Sequence, residues 1–513
     1  MEYDAVVIGS GPNGLAAGVE LAGAGASVLV VEARDEIGGG TRVAELTLPG
    51  FRHDVCSAVH PMGILSPFFR SLPLGRHGLE WISPQASVAH PMPDGPAVMQ
   101  YRSLERTGEG LGADAEEYRR LMAPFLRDPH ALLADLLGPL RIPAHPVAMA
   151  RFGLVAIQSA TALCSRRFRE ERAAALFAGC AGHSVLPLSK PLTAALGMIF
   201  SITGHVEPWP VARGGSSAIT LALAGLLEER GGTIEVGRHI STLSELPPAG
   251  AYLFDTSPDQ LVSIAGDALP VRYRRRLERY RYGPGVFKLD WALDGPIPWT
   301  DSRCLEASTV HVGGTLEEIA ASEAAMWNGR HSDRPFLILC QQSLFDPSRA
   351  PAGQHTGYAY CHVPHGSTHD MTDAIEQQVE RFAPGFRDRI LARHTMSPRD
   401  FHAYNTNYVG GAITGGVADL FQLFTRPVAR INPYTTPNPK LFLCSAATPP
   451  GGGVHGLCGY YAARAALRAL GHTLGFLLWR HEYYKMPKRC SKTTAKRFAA
   501  TEKRILRLQN LGS

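Results

Sequence analysis

A glycine-rich turn follows directly after a short apolar run at the beginning of the chain. Residues 5–8, Ala-Val-Val-Ile, form the continuous apolar segment that is typical of a buried parallel strand. Gly9-Ser-Gly11-Pro-Asn-Gly14 comes next and leads into an alanine-rich helical pattern. A second apolar run then ends at Glu32, 18 residues after Gly14. This order of strand, glycine turn, helix and acid-terminated strand predicts an α/β fold built on a Rossmann-type dinucleotide-binding unit.

The residue types in this unit suit a dinucleotide with free ribose hydroxyls. Gly9 permits the tight turn, Gly11 lets the backbone approach a pyrophosphate, and Gly14 allows close packing of helix on strand. The N-terminus of the helix then faces the phosphates. Glu32 can accept hydrogen bonds from both ribose hydroxyls and argues against a 2′-phosphate, which leaves NAD or FAD. A second glycine cluster at residues 38–40, followed by Arg42, favours the longer ligand, FAD.

A third glycine segment lies near the other end of the chain. Gly451, Gly453 and Gly456 follow an apolar run at residues 440–444 and precede a helical pattern, which formally repeats the dinucleotide spacing. No acid-terminated strand follows, so we interpret the segment as a helix N-terminus aimed at the pyrimidine end of a flavin. Its dipole would stabilise negative charge on the reduced ring.

Taken together, these motifs resemble the phytoene desaturase-like branch of the FAD-dependent oxidoreductases, the carotenoid desaturases and isomerases, which are relatives of the amine oxidases. The resemblance extends to residues 211–217, to residues 233–240, whose backbone would meet the adenine, and to residues 449–456. It implies one FAD, and we expect it to be held non-covalently without a separate NAD(P) site. The residues expected along FAD are Gly9, Gly11, Pro12, Asn13, Gly14, Glu32, Ala33, Arg34, Gly39, Gly40, Thr41, Arg42, Ile240, Gly453, Val454, His455 and Gly456.

The resemblance also implies how the chain is divided. A glutathione-reductase-like FAD-binding domain is expected to interleave with an α+β substrate domain. The predicted FAD-binding domain comprises residues 1–85, 205–262 and 405–480, and the predicted substrate domain comprises residues 86–204 and 263–404. Within the latter, the periodicity predicts one helix over residues 166–179 and a half-buried antiparallel strand over residues 287–294.

Charge and cysteine content exclude several classes of protein. The chain has a net charge of +5, but residues 480–513 carry ten Lys and Arg against two acids, so the other residues sum to −3. That balance argues against nucleic-acid binding by the body of the protein. Nine cysteines without a C-x-x-C motif argue against a disulfide framework, a disulfide reductase and a zinc ribbon. We therefore expect a cytoplasmic protein with reduced thiols and no metal site.

A contact with membranes is also predicted. Phe, Leu, Trp and Tyr at residues 475–484 adjoin the basic residues 485–513, a combination that suits a peripheral membrane contact. The alternative is that residues 476–484 pack on the body and the basic segment is an appendage. The apolar segments 152–164 and 191–204 are too short to span a bilayer, and we expect them to form a tunnel mouth or to dip into a membrane.

Three functions remain open at this stage. The first is a flavoenzyme that transfers hydride between the flavin and a large apolar, isoprenoid- or lipid-like substrate, as a desaturase, saturase or isomerase acting on CH–CH groups. The second is an amine oxidase-like enzyme for a small polar substrate, for which Lys288 is the available flavin-side lysine. The third is a non-catalytic, flavin-stabilised interaction protein. The sequence assigns neither a catalytic residue nor an oligomeric state, and His60 and His455 are the histidines placed nearest the flavin.

Overall fold

Two large β-sheets, one parallel and one mainly antiparallel, organise the described part of the chain. The structure is a computed structural model and describes residues 2–139 and 141–471. The strands are, in chain order, β1 (Tyr3–Ile8), β2 (Val28–Val31), β3 (Val43–Ala44), β4 (His53–Asp54), β5 (Trp81–Ile82), β6 (Ala86–His90), β7 (Val98–Tyr101), β8 (Val211–Ala212), β9 (Thr233–Glu235), β10 (Ala249–Phe254), β11 (Gly285–Leu293), β12 (Ala307–Val312), β13 (Leu337–Cys340), β14 (His355–Val363), β15 (Ile390–Met396) and β16 (Leu441–Leu443).

The α-helices pack around these sheets, and several of them supply part of the wall of the cavity described below. They are α1 (Pro12–Gly23), α2 (Pro61–Ile64), α3 (Pro67–Arg70), α4 (Leu104–Gly108), α5 (Ala115–Met122), α6 (Pro129–Leu136), α7 (Pro146–Ala156), α8 (Ala160–Arg167), α9 (Glu171–Gly182), α10 (Thr193–Val206), α11 (Ser217–Glu229), α12 (Pro258–Ala265), α13 (Val271–Leu277), α14 (Leu316–Trp327), α15 (Thr372–Glu380), α16 (Pro398–Tyr404), α17 (Gln422–Thr425) and α18 (Leu457–Ala469).

The first sheet is parallel and has the order β16-β10-β1-β2-β9. Its central strand β1 pairs with β2 and β10, so that Ala5 lies opposite both Val28 and Ala251. Val6 and Val7 point to opposite faces of the sheet and are both fully buried, as expected for a sheet covered by helices on both sides. The predicted Rossmann-type α/β fold is confirmed.

The glycine turn between β1 and α1 is held by close backbone contacts. Gly9 has a φ of +101°, a conformation that favours glycine. A Cβ atom on Gly14 would lie 2.0 Å from the carbonyl oxygen of Gly9, so only glycine lets α1 pack this closely on the end of β1. Pro12 begins the helix, where its missing N–H costs no hydrogen bond.

The second sheet has the order β15-β11-β14-β13-β12-β6-β7, and its pairs are antiparallel except β12 with β6. Phe177 of α9 and Met198 of α10 lie in the core on one face, and Ile375 of α15 lies in the core on the other. β11 was predicted to be half-buried, but every one of its nine residues is buried. The polar Lys288 and Asp290 account for the difference, because they form a buried ion pair with each other.

The predicted helix over residues 166–179 is wrong. α8 ends at Arg167 and α9 begins at Glu171. The buried carboxylate of Asp114 accepts hydrogen bonds from the backbone N–H groups of Arg169 and Glu170 at 2.7–2.9 Å. These bonds hold the backbone in a turn that a periodicity of apolar residues does not reveal.

The division of the chain into an FAD-binding domain and a substrate domain stays a prediction. Met1–Ala466 form one compact unit, which contains both sheets. The second unit is Leu467–Ser513, of which the structure describes residues 467–471 at the end of α18. The predicted membrane-contacting segment at residues 475–513 lies outside the described residues. Within them, no single helix has the length and apolarity to cross a bilayer, and α7 and α8 meet that criterion only as a pair bent by 93°.

Candidate functional site

A cavity of about 1020 Å³ connects the carboxyl end of the parallel sheet with the second sheet. Gly9, Glu32 and Asp255 line one part of it, after β1, β2 and β10 respectively. Phe152 of α7 and Tyr360 of β14 line another part. Ligands of open parallel sheets bind outside the carboxyl ends of the strands, so this is the expected position for a dinucleotide.

The glycines of the turn lack Cβ atoms, so that phosphate groups could approach their backbone closely. A Cβ atom on Gly11 would lie 2.6 Å from the Asp255 carboxylate, and one on Gly39 would lie 3.0 Å from the Cα of Gly11. The buried side-chain oxygen of Asn13, next to the start of α1, has no hydrogen-bond partner in the described part of the chain. These glycines, the N-terminus of a twelve-residue helix and an unpaired polar atom fit the pyrophosphate of a dinucleotide.

Glu32 is oriented by groups on both sides of its carboxylate. Oε2 accepts hydrogen bonds from the backbone N–H and the hydroxyl of Ser10, at 3.0 and 2.6 Å. Oε1 accepts from the backbone N–H of Arg34 at 3.0 Å and lies 3.2 Å from Nη2 of Arg42. The second glycine loop therefore reaches back to the acid of the βαβ unit, and Arg42 positions Glu32 as well as neutralising it.

Asp255 is a site residue that the sequence interpretation missed. Its carboxylate accepts a hydrogen bond from the backbone N–H of Gly14 at 2.8 Å. Burial raises the pKa of Asp255 to about 7, opposed by the hydrogen bond from Gly14, and the nearby charge of Glu32 raises it further. The available signal was its position, since it directly follows β10, the parallel neighbour of β1.

Most of the predicted site residues line the cavity. Gly14, Thr41, His455 and Gly456 lie behind its wall, where Gly14 packs α1 on β1 and Thr41 donates to the carbonyl of Gly38 at 2.8 Å. The role of all the predicted site residues in cofactor binding stays a prediction, both for the four behind the wall and for those that line the cavity. The predicted residues on the wall are Gly9, Gly11, Pro12, Asn13, Glu32, Ala33, Arg34, Gly39, Gly40, Arg42, Ile240, Gly453 and Val454.

The two histidines placed near the flavin differ in their access to the cavity. His60 lines it, and its Nε2 lies 2.9 Å from the hydroxyl of Ser216. Burial lowers the pKa of His60 to about 4, so its imidazole is neutral near pH 7. His455 is fully buried behind Gly453, and its Nδ1 accepts a hydrogen bond from the backbone N–H of Leu457 at 3.1 Å. His455 therefore supports the loop, whereas His60 faces the ligand space.

Lys288 is held away from the cavity by an ion pair. Nζ donates to both carboxylate oxygens of Asp290, at 2.6 and 2.5 Å, and to the carbonyl of Asp54 at 3.1 Å. The ammonium lies 4.4 Å from the centroid of the Tyr358 ring. Every donor of this lysine thus has an acceptor inside the protein.

The part of the cavity away from the glycine turn has mainly apolar walls. α7 and α10 supply aliphatic and aromatic side chains, among them Met149, Phe152, Leu196, Ile199 and Phe200. Tyr358, Tyr360 and His362 of β14 add polar atoms to one wall. The sequence interpretation did not single out these three residues, although their alternate spacing on a strand places them on one face.

Known proteins with similar sequences support this arrangement. Residues 7–72 match the family described as an NAD(P)-binding Rossmann-like domain. The chain is 27% identical to rat pyridine nucleotide-disulfide oxidoreductase domain-containing protein 2, with 91% of this chain and 94% of that protein covered. It is 25% identical to the lycopene-forming phytoene desaturase of Pseudescherichia vulneris, with 90% and 98% covered. The predicted resemblance to phytoene desaturases is confirmed.

Solved structures agree at the level of the fold. An oxidoreductase from Methanosarcina mazei superimposes with a TM-score of 0.63 at 15% identity, covering 90% of this chain and 99% of that one. Putrescine oxidase in complex with putrescine gives a TM-score of 0.59 at 16% identity, covering 93% and 99%. The chain thus shares its overall fold with putrescine oxidase, and its relatives by sequence support an oxidoreductase.

Proposed function

We propose that this protein is an FAD-dependent oxidoreductase that transfers hydride between the flavin and a large apolar, isoprenoid- or lipid-like substrate, as a desaturase, saturase or isomerase of CH–CH groups. The observation that carries the proposal is the continuous cavity, which joins the dinucleotide motif to an apolar compartment. Bound FAD would supply the hydride acceptor or donor. The chain itself would bind the nucleotide, orient the substrate and exclude water.

FAD accounts for the length of the polar wall better than NAD does. Glu32 and the turn at Gly9 suit an adenosine diphosphate, which both cofactors contain. Gly39 and Gly40 of the second loop, and Gly453 and Val454 of the closing motif, extend the wall further along the same cavity. Glycine positions at each of these points let backbone approach a ligand longer than one nucleotide.

The surroundings of Lys288 argue against the amine oxidase-like alternative. That alternative needs a lysine beside the flavin, and the ammonium of Lys288 is already held by Asp290 and the carbonyl of Asp54. Freeing it would leave the buried carboxylate of Asp290 without its closest cation, which is costly. Apolar walls at the far end of the cavity also favour an apolar substrate over a small polar amine.

The mouth of the cavity suggests how an apolar substrate enters. Ile157, Leu420 and Phe424 line the cavity and are 57%, 40% and 48% exposed, while the neighbouring Leu154 and Phe421 are about three-quarters exposed. We infer that this apolar rim touches membrane lipid and that the protein is cytoplasmic and peripherally membrane-associated. Electrons would leave to oxygen, a quinone or another diffusible acceptor.

Purified protein tests the cofactor assignment directly. We expect a flavin absorbance spectrum, and we expect acid precipitation to release the flavin because it is held non-covalently. The released compound should be FAD at one equivalent per chain. Colourless protein that takes up no added FAD would refute the proposal, and flavin that stays in the precipitate would refute non-covalent binding.

Anaerobic titration with substrate candidates tests the reaction. Lipid extracts should bleach the oxidised flavin absorbance if the enzyme is a desaturase, and should restore the absorbance of the reduced flavin if it is a saturase. Putrescine and other small amines should do neither. Rapid reduction by an amine would favour the amine oxidase-like function instead. A flavin that lipid extracts neither reduce when it is oxidised nor reoxidise when it is reduced, with no isomerised lipid formed, would favour a non-catalytic protein.

A further inference from the structure

One strand of the cavity wall carries three polar side chains at regular intervals. Tyr358, Tyr360 and His362 alternate along β14, and all three line the cavity. The ring centroids of Tyr358 and Tyr360 are 6.3 Å apart, and those of Tyr360 and His362 are 5.8 Å apart. The three rings thus form a row on the wall of an otherwise apolar compartment.

Within this row, Tyr358 is the residue nearest to the second glycine loop. Its hydroxyl donates to the carbonyl of Cys56 at 3.2 Å. The next residue, Ser57, donates its backbone N–H to the carbonyl of Gly40 in the second glycine loop at 3.0 Å. His362 therefore lies two ring spacings farther from that loop than Tyr358 does.

His362 is paired on one side and open on the other. Its Nδ1 lies 3.0 and 2.9 Å from the two carboxylate oxygens of Glu323, on α14. A carboxylate accepts, so Nδ1 carries the hydrogen and Nε2 is left as the second functional atom. The side chains of His362 and Glu323 are 3% and 1% exposed, and Nε2 forms no hydrogen bond with any described residue.

Two further polar atoms share this part of the wall. The hydroxyl of Tyr360 has no hydrogen-bond partner within residues 2–139 and 141–471. His183 follows the end of α9, and its Nε2 lies 2.9 Å from Nε2 of the buried His311. The His183 ring packs on Phe200, with centroids 4.4 Å apart, and its Nδ1 forms no hydrogen bond with a described residue.

We propose that Glu323, His362 and Tyr360 form a subsite for a hydroxyl group at one end of an otherwise apolar substrate. The inference rests on the proposed function and narrows its substrate class. A pure hydrocarbon would leave Nε2 of His362 and the hydroxyl of Tyr360 desolvated without partners, which is unfavourable. A hydroxyl can donate to Nε2 and accept from Tyr360 at the same time, whereas a carbonyl oxygen can only accept.

The position of the subsite determines which carbons of the substrate lie nearest the cofactor. A hydroxyl bound between Tyr360 and His362 anchors one end of the substrate, so that the chain extends along the row of rings toward Tyr358 and the second glycine loop. The carbons nearest the cofactor are then separated from the hydroxyl by a set length of chain. His362, Glu323 and Tyr360 are accordingly specificity residues that position the substrate and exchange no hydrogen with it.

Binding of matched isoprenoids to the FAD-loaded protein tests the inference. Isothermal titration calorimetry compares farnesol, farnesal and farnesene, which share a chain length and differ in the end group. We expect farnesol to bind at least about five-fold more tightly than farnesene and more tightly than farnesal. Equal affinities for farnesol and farnesene, or tighter binding of farnesal than of farnesol, would overturn the hydroxyl subsite.

Variants test whether the preference for farnesol over farnesene arises at the subsite. Tyr360→Phe removes a single oxygen and should weaken farnesol binding about 2- to 12-fold while farnesene binding stays unchanged. The double variant His362→Phe with Glu323→Met removes the imidazole together with the carboxylate that orients it and should abolish the preference. Tyr101→Phe removes a hydroxyl that donates to Glu306 outside the cavity and serves as the control. A preference that survives in Tyr360→Phe and in the double variant would also overturn the inference.

The same samples separate this inference from the proposed function. Protein that takes up no FAD contradicts the proposed function before any isoprenoid is added. Protein that takes up FAD but binds farnesol and farnesene equally contradicts only the hydroxyl subsite. Urea unfolding of each variant confirms that a loss of binding does not come from a loss of folding.

Discussion

Individual acidic residues at the nucleotide end of the cavity have opposite electrostatic roles. Glu32 is surrounded by donors, namely Ser10, the backbone of Arg34 and the guanidinium of Arg42. Asp255 has one donor from the backbone of Gly14, and burial raises its pKa to about 7. We therefore expect Glu32 to accept hydrogen bonds from a ribose and Asp255 to change its protonation state when an anion binds beside it.

Binding of FAD should take up a proton at Asp255. The pyrophosphate is negative and would disfavour the Asp255 carboxylate, so the nucleotide prefers the protonated form. Because the pKa without ligand is about 7, we expect the Kd for FAD to rise as the pH increases from 6 to 8.5. Fluorescence titration of the apoprotein with FAD measures this dependence, which Asp255→Asn should flatten. Asp267→Asn, at an exposed position, is the control, and a pH profile unchanged in Asp255→Asn contradicts the prediction.

Replacement of Glu32 should weaken cofactor binding directly. Glu32→Ala removes the acceptor of the ribose hydroxyls, a loss of roughly 1.5–3 kcal/mol for hydrogen bonds to a charged group. The Kd for FAD should therefore rise by at least about ten-fold. Glu36→Ala is the matched control, since Glu36 is exposed and contacts Arg42 through its backbone carbonyl. Wild-type affinity in Glu32→Ala would show that the second strand does not end at the ribose.

Hydrogen bonds between backbone N–H groups and polar side chains determine where helices begin and end. The break between α8 and α9 depends on Asp114, which is 2% exposed and accepts from the backbone of Arg169 and Glu170. α9 ends at Gly182, and His183 follows it on the cavity wall. The turn at residues 168–170 thus sets the direction of the helix that leads to His183.

Loss of the Asp114 carboxylate should destabilise this turn. Asp114→Ala leaves two backbone N–H groups without their acceptor, and we expect the free energy of unfolding to fall by about 1–3 kcal/mol. Urea unfolding monitored by circular dichroism measures the change. Asp128→Ala removes an exposed cap from the N-terminus of α6 and should cost about 1 kcal/mol. A smaller loss in Asp114→Ala than in Asp128→Ala would contradict this account of the break.

For the whole molecule, the apolar rim of the cavity and the basic C-terminal residues are separate candidates for membrane contact. The rim consists of Leu154, Ile157, Leu420, Phe421 and Phe424, all exposed. Ile157, Leu420 and Phe424 line the cavity, and exposed apolar residues clustered on a surface are typical of an interaction site. The basic residues would add attraction to anionic lipid, which salt weakens.

Liposome co-sedimentation separates the two contributions. Phe421→Ser with Phe424→Ser should lower recovery with both neutral and anionic vesicles, because it removes apolar contact. A chain that ends at Tyr484 should lose recovery only with anionic vesicles at low salt. Leu221→Ser, at a 57% exposed position that does not line the cavity, is the control. If both variants sediment like the wild type, neither segment contributes to membrane contact.

Much of the nucleotide end could be predicted because its signals are local in the chain. A strand, a glycine turn, a helix and a second strand follow one another within residues 3–32, and each depends on neighbouring residues for its conformation. The apolar run at residues 440–444, before the third glycine segment, likewise contains a strand, β16. The positions of Gly9, Gly11 and Glu32 on the cavity wall follow from this order.

Tertiary structure alone decided the remaining features, because they depend on pairs of residues far apart in the chain. Asp255 gains its place beside Gly14 through the pairing of β1 with β10, 241 residues apart at this contact. His362 is an ordinary strand residue until α14 brings Glu323 to its Nδ1. The sequence by itself determined a dinucleotide-binding α/β protein, since local order is enough for that unit. Which polar groups meet at the far end of the cavity was decided by strand register and helix packing, which no local pattern encodes.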